Sequence, residues 1–164
     1  MAEKDFTLTK ELLHQYFEYN NGVLYNKKYR CSRAKIGDIA GSLQSTGYYT
    51  TYVNSIRFSV HRIIFMMHHG YLPKCIDHIN GIKTDNRIEN LREATFSENA
   101  CNKLGNAKSG IKGVFWSKYH KKWSVVCWKN KKHHFIGRFK NIEDAKTAVK
   151  KARIDLHKEF ARHE

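Results

Sequence analysis

The sequence predicts an α+β fold, and three observations carry that prediction. Two turn signals, Asn20-Asn21-Gly22 and Asn54-Ser55, each sit between short runs of β-forming residues, which is the pattern of a hairpin. Val60 to His69 has the apolar spacing of a helix, with Gly70 to end it and Pro73 beyond. From Gly113 on, three strand-like runs lead into a single helical period, so strands and helices are segregated along the chain.

Thr9 to Phe17 opens the pattern as a short helix with Thr9 as its N-cap. Phe17 to Tyr19 and Val23 to Tyr25 then form the first hairpin. Residues 27–46 mix Lys, Arg, Gly and Ser without a period and read as a basic loop region. Tyr48 to Val53 and Ile56 to Val60 make the second hairpin, and the Val60–His69 helix packs on a hairpin that follows it. Cys75 to Asn99 reads as strand, loop, strand and short helix, with Gly81 turning a polar loop between Asn80 and Asn86. Cys101 to Ser109 is a polar link, and a change of composition places a domain boundary near residue 106, giving units 1–105 and 106–164. In the second of these, strands centred on Gly113–Lys118, Trp123–Lys129 and His133–Phe139 precede a helix capped by Asn141. Ala145, Ala148, Val149, Ala152, Leu156 and Phe160 form its packing face.

The net charge is +15 and the isoelectric point about 9.7, a field that suits a polyanion. It is uneven: residues 1–60 carry +3, residues 61–105 carry +1, and residues 106–164 carry +11. Aromatic residues interleave with those lysines, which favours nucleic acid over a merely solubilising lysine-rich surface. Cys31, Cys75, Cys101 and Cys127 are too far apart for a CxxC pair, so no structural zinc is expected. His68 and His69 are adjacent on a helix and point roughly 100° apart, a poor arrangement for sharing a metal. The Met1-Ala2-Glu3-Lys4 start has no apolar signal region and no run is long enough to span a membrane, so an intracellular protein with reduced thiols is expected.

Within residues 75–99 lie Asp77-His78, then Asn90 twelve residues after the His and Asn99 nine residues later. Together with Val60-His61-Arg62, Ile79-Asn80-Gly81, Asp85-Asn86-Arg87 and Leu91-Arg92, this series resembles the HNH, or ββα-metal, nucleases, especially the small homing-type endonucleases of phages and introns. The resemblance implies that His78 is the general base that takes a proton from water. An imidazole suits that role because it titrates near neutral pH. Consecutive strand residues point to opposite sides, so the strand must end or twist at Asp77-His78 for both to serve one centre. By the same resemblance Asn90 steadies the loop and the base, and Asp77 and Asn99 hold one divalent ion. Oxygen ligands favour Mg2+ or Mn2+. The product would carry a 5′ phosphate and a 3′ hydroxyl. Arg62, Arg87 and Arg92 are candidates for phosphate contact or for ion pairs with Glu89, Glu93 or Glu98; Arg92 is taken as the catalytic one.

The C-terminal pattern resembles the AP2 DNA-binding domain, through Ser109 to Val114, Lys122-Trp123, Ile136 to Phe139, Glu143 to Ala145 and Leu156 to Phe160. The resemblance implies that the outer face of the sheet meets the DNA major groove. With Val114, Trp116, Val125, Cys127 and Ile136 packed on the helix, Phe115, Ser117, Val126, Trp128, His133 and Phe135 face outward. Lys112, Lys118, Lys129, Lys131 and Lys132 flank that face, as do Lys121 and Lys122, and would hold phosphates. The positions that carry Arg in better-known AP2 domains are here aromatic, aliphatic or small, which weakens base reading.

The expectation is therefore a monomeric, metal-dependent, homing-type endonuclease of double-stranded DNA, at work in the cytoplasm of a phage-infected bacterial host. One metal centre per chain makes a nick the simpler event. The competing expectations are a non-cleaving DNA-binding regulator on a nuclease-derived scaffold, and a nonspecific nuclease.

Overall fold

The computed structural model describes residues 7–32, 34–102, 107–129 and 132–157. Lys131 and Phe160 lie outside them. The chain forms two compact units, Met1–Glu93 and Ala94–Glu164, so the compositional change near residue 106 falls inside the second. Among the described residues no helix is long and apolar enough to cross a membrane.

In the first unit, α1 (Lys10–Tyr16) starts where the Leu12 amide donates to the Thr9 hydroxyl at 3.2 Å. Strands β1 (Phe17–Asn20) and β2 (Val23–Asn26) pair antiparallel around Asn21 and Gly22, whose φ angles of 43° and 86° are left-handed. Such a turn matches the twist of the strands it joins. The stretch read as a basic loop contains β3 (Ser42–Leu43), which pairs with β4 (Tyr49–Val53), itself paired to β5 (Ile56–Ser59). Next comes α2 (Val60–His69), closed by Gly70 at φ 79°, whose amide reaches the Met66 carbonyl. Ile63 to Met67 are buried without a break, so the middle of α2 is covered all round and lies in the core of the unit. Leu13, Phe17, Leu24, Val53, Ile76 and Leu91 complete that core. Strands β6 (Cys75–His78) and β7 (Leu91–Ala94) pair beside it, joined by a loop and a 3-10 turn at Ile88–Asn90.

The second unit begins with α3 (Phe96–Asn102). Thr95 and Glu98 cap it reciprocally: the Thr95 amide donates to Glu98 Oε2 at 2.7 Å and the Glu98 amide to Thr95 Oγ1 at 3.2 Å. Strands β8 (Val114–Ser117), β9 (Lys122–Lys129) and β10 (Lys132–Phe139) form an antiparallel sheet in the order β10-β9-β8. Helix α4 (Ile142–His157) starts with the Glu143 amide on Asn141 Oδ1 at 3.0 Å. Its Ala145 and Val149 pack with Val114 and Val125, flanked by Ile111, Trp123 and Phe139. The architecture is α+β, as the patterning implies.

Register refines the faces of this sheet. Phe115 pairs with Ser124, Val126 with Phe135 and Trp128 with His133, so these six share one side. Val126 is nevertheless buried. Simple alternation puts Ile136 on the helix side, but it is the extra residue of a bulge between Phe135 and Gly137 and is 37% exposed. Trp116, placed on the helix side, is 47% exposed and lies edge-on to Trp123 at 5.2 Å.

Candidate functional site

Strand β6 ends at His78, where the next amide, Ile79, turns to the Asn90 carbonyl at 2.9 Å. Asp77 and His78 are 4% and 5% exposed, so the two sides of the strand end are both covered. Arg92, on β7, covers Asp77: its Nη2 and Nε donate to Asp77 Oδ2 at 2.8 and 3.0 Å. This partner is none of the glutamates weighed from the sequence. A buried pair of this kind is costly to break from one side, because the remaining charge is left desolvated.

The other side holds His78. Its Nε2 lies 3.2 Å from Asn86 Oδ1, and Asn86 is itself buried. A carboxamide oxygen only accepts, so Nε2 carries the proton and Nδ1 the basic lone pair. Burial lowers the His78 pKa, while the Asn86 bond, Asp77 and Asp85 act in the opposite direction. Two rings approach it: Tyr48, which the sequence does not single out, and His61, which enters there only within the Val60-His61-Arg62 match. His61 of α2 lies edge-on at 5.1 Å between centroids, and Tyr48 is 6.0 Å from His78 and 5.2 Å from His61. Burial first, then His78 and Arg62, lowers the His61 pKa to about 3, so its ring is neutral, and its Nδ1 is buried without a hydrogen-bond partner. Burial, Cys75 and Asp77 raise the Tyr48 pKa.

The loop between β6 and β7 is bonded throughout. Asn90 Oδ1 accepts the Asn80 amide at 3.0 Å, and its Nδ2 donates to Asn80 Oδ1 at 3.0 Å and to the Asp85 carbonyl at 2.7 Å. Asp85 takes Arg87 Nε and Nη2, both at 2.8 Å, and the Arg87 bond holds its carboxyl well below the usual range. The first hairpin braces the far end: the Ile88 amide donates to the Tyr19 hydroxyl at 3.1 Å. A Cβ on Gly22 would come within 2.8 Å of the Arg87 nitrogen. Lys83, at the loop's tip, donates to the Thr46 carbonyl at 2.9 Å and lies 4.8 Å from the Tyr48 ring centre. The structure thus gathers Asp77, His78, Asn90 and Arg92 in the first unit. Asn99, half-buried on α3, belongs to the second. Among the described residues no three His, Cys, Asp or Glu side chains cluster as a metal site.

On the second unit's sheet, Phe115, Trp128 and Phe135 are 50%, 59% and 52% exposed, and His133, Lys118 and Lys132 are exposed as well. Trp128 and His133 lie 5.3 Å apart, and the Arg138 guanidinium sits 4.9 Å from the Phe135 ring centre. Ser117 and Lys129 are half-buried. Lys112 is half-buried too, with Nζ on the Ala100 carbonyl at 3.0 Å.

A family model described as HNH endonuclease matches residues 58–101, a segment that runs from β5 through α3. Such domains act on DNA with a divalent ion, although which ion is not set by the match. Protein 3.8 of Escherichia phage T7 is 35% identical over 98 residues, spanning 57% of this chain and 79% of that relative. No solved structure matches significantly. With most of the relative's length covered at that identity, the chain belongs to the family of phage T7 Protein 3.8, and residues 58–101 are an HNH endonuclease domain within it.

Proposed function

We propose that the chain is a homing-type endonuclease that hydrolyses a phosphodiester bond of duplex DNA in the cytoplasm of a phage-infected bacterium, with His78 as general base. The observation that carries this reading is the buried His78 ring, whose Nε2 is held by Asn86 at the end of the strand that also carries the buried Asp77. Held this way, the imidazole presents Nδ1 as the proton acceptor and stays largely neutral at pH 7. Asn90 is a positioning residue that keeps the loop, and through it the base, in place. Asp77 and Asn99 would hold one Mg2+ or Mn2+; hard oxygen donors fit such an ion better than zinc. When bound, the ion would neutralise charge that develops on the phosphate and the leaving 3′ oxygen. Arg92, which bonds Asp77, would share a phosphate with it.

The segment 106–164 is the DNA anchor in this reading. An AP2-like placement of its sheet would set Phe115, Trp128, His133 and Phe135 against the duplex, with Lys112, Ser117, Lys118, Lys129, Lys131 and Lys132 toward the phosphates. The domain boundary near residue 106 would then separate cutting from anchoring, in a chain that works as a monomer. One observation favours the non-cleaving regulator: Arg92 already neutralises Asp77. His78→Ala separates the two readings. Under the nuclease reading it abolishes cleavage in Mg2+ or Mn2+ and leaves duplex binding intact; wild-type binding without cleavage in either ion supports the regulator.

A further inference from the structure

The second unit holds a cavity of about 450 Å3 that the chemistry above does not use. It opens among α3, the residues before β8, the Val126–Lys129 end of β9 and the last turns of α4. Two exposed rings border it, Phe96 at 72% and Trp128 at 59%. The polar side contains Cys127 and His157, with Sγ and Nε2 3.2 Å apart, together with Lys112, Lys129 and Arg153. Arg153 is buried and donates to the Lys112 carbonyl, so the cationic wall is fixed to backbone. The field inside is positive: burial lowers the His157 pKa, and Lys129, Lys112, Arg153 and His134 add to the shift.

A cavity of this size fits a small organic ligand, and a bare anion has no use for two aromatic walls. A planar ring that carries a phosphate satisfies both sides. We propose that the cavity receives one unstacked nucleotide of the bound DNA, its base against Phe96 and Trp128 and its phosphate toward Lys112 and Lys129. This rests on the reading that the second unit binds DNA. Aromatic platforms accept any base, so the contact gives affinity for an extruded or unpaired base with little sequence preference. Extrusion is easiest where pairing is already broken, and the cavity would therefore favour mismatched or bulged sites over a perfect duplex.

The test uses the full chain in EDTA, which prevents cleavage, and two fluorescent duplexes that differ only in one unpaired 2-aminopurine. The unpaired duplex is expected to bind about tenfold more tightly, with its 2-aminopurine emission quenched by stacking. Ala100→Trp fills the cavity and should remove both the preference and the quench, with affinity for the matched duplex unchanged. Ser97→Trp, on the same wall, serves if the first variant fails to fold. Equal affinity for both duplexes without a quench overturns the proposal while the DNA-binding reading survives. A quench that persists in the filled variants overturns it as well. Loss of binding to both duplexes by the unmutated chain overturns the DNA-binding reading and the proposal with it. Competition by free dAMP, with no preference for the unpaired duplex, would assign the cavity to free nucleotides and overturn the DNA source.

Discussion

The bond between His78 and Asn86 decides which ring nitrogen is basic, so it gives the sharpest residue-level predictions. Asn86→Leu removes the acceptor and should lower cleavage by roughly 10- to 100-fold, as loss of an orienting partner commonly does. Asn86→Asp keeps an acceptor and adds negative charge, which favours the imidazolium. The acid limb of its pH–rate profile should then move upward relative to wild type. In the wild type, burial lowers the His78 pKa, so cleavage should persist as pH falls to about 6.5 and be lost only below it. His61 makes a separate prediction for stability. Its folded pKa of about 3 lies below the unfolded value, so the unfolded chain binds more protons across that window. Stability should fall as pH drops below about 6.5, by roughly 1.4 kcal/mol per pH unit for this one group. Urea denaturation of His61→Phe should lack that component of the slope. Arg92→Ala should cost about 3–5 kcal/mol by removing the guanidinium that neutralises the buried Asp77 carboxylate, and Asp77→Asn in the same chain should recover much of it.

At the level of elements, the first hairpin has a role beyond its own pairing. Its turn packs under Arg87 and its Tyr19 hydroxyl caps the Ile88 amide, so it supports the loop that carries Asn86. Gly22→Val combines a left-handed φ with a clash against backbone. Its predicted signature is a fall in cleavage accompanied by lower thermal stability. Ile64→Ala, in the middle of the buried α2, should cost about 2–5 kcal/mol and loosen the same unit. These elements differ in how plainly the sequence announces them. The Asn21-Gly22 turn, the Thr9 and Asn141 caps and the Gly70 stop were legible because each depends on a local backbone demand. The bulge at Ile136 was not, since alternation assumes one residue per position and an inserted residue leaves no mark in a run of hydrophobic and aromatic side chains. The burial of Val126 depends on packing from outside its strand.

Across the whole molecule, the same division between local and distant information governs the site. Asp77, His78 and Asn90 lie close in sequence and follow a spacing that the resemblance to HNH nucleases makes readable. Tyr48 and His61 reach His78 from a different strand and helix, and Asn86 bonds it from across the loop. Only the folded chain shows that these side chains meet it. Charge is legible without any fold: the +11 of residues 106–164 implies strongly salt-dependent binding. Replacing Lys118 and Lys132 by Gln should weaken binding to all sequences alike and reduce the slope of log K against log salt by about two.

The most direct test of His78 as the base of a metal-dependent nuclease is cleavage of supercoiled plasmid with end-mapping, in Mg2+, Mn2+ and EDTA, by wild type and His78→Ala. The expected result is metal-dependent nicking by the wild type, with 5′ phosphate and 3′ hydroxyl ends, and no cleavage by a variant that still binds DNA. Equal cleavage by both proteins, or cleavage undiminished in EDTA, would contradict it.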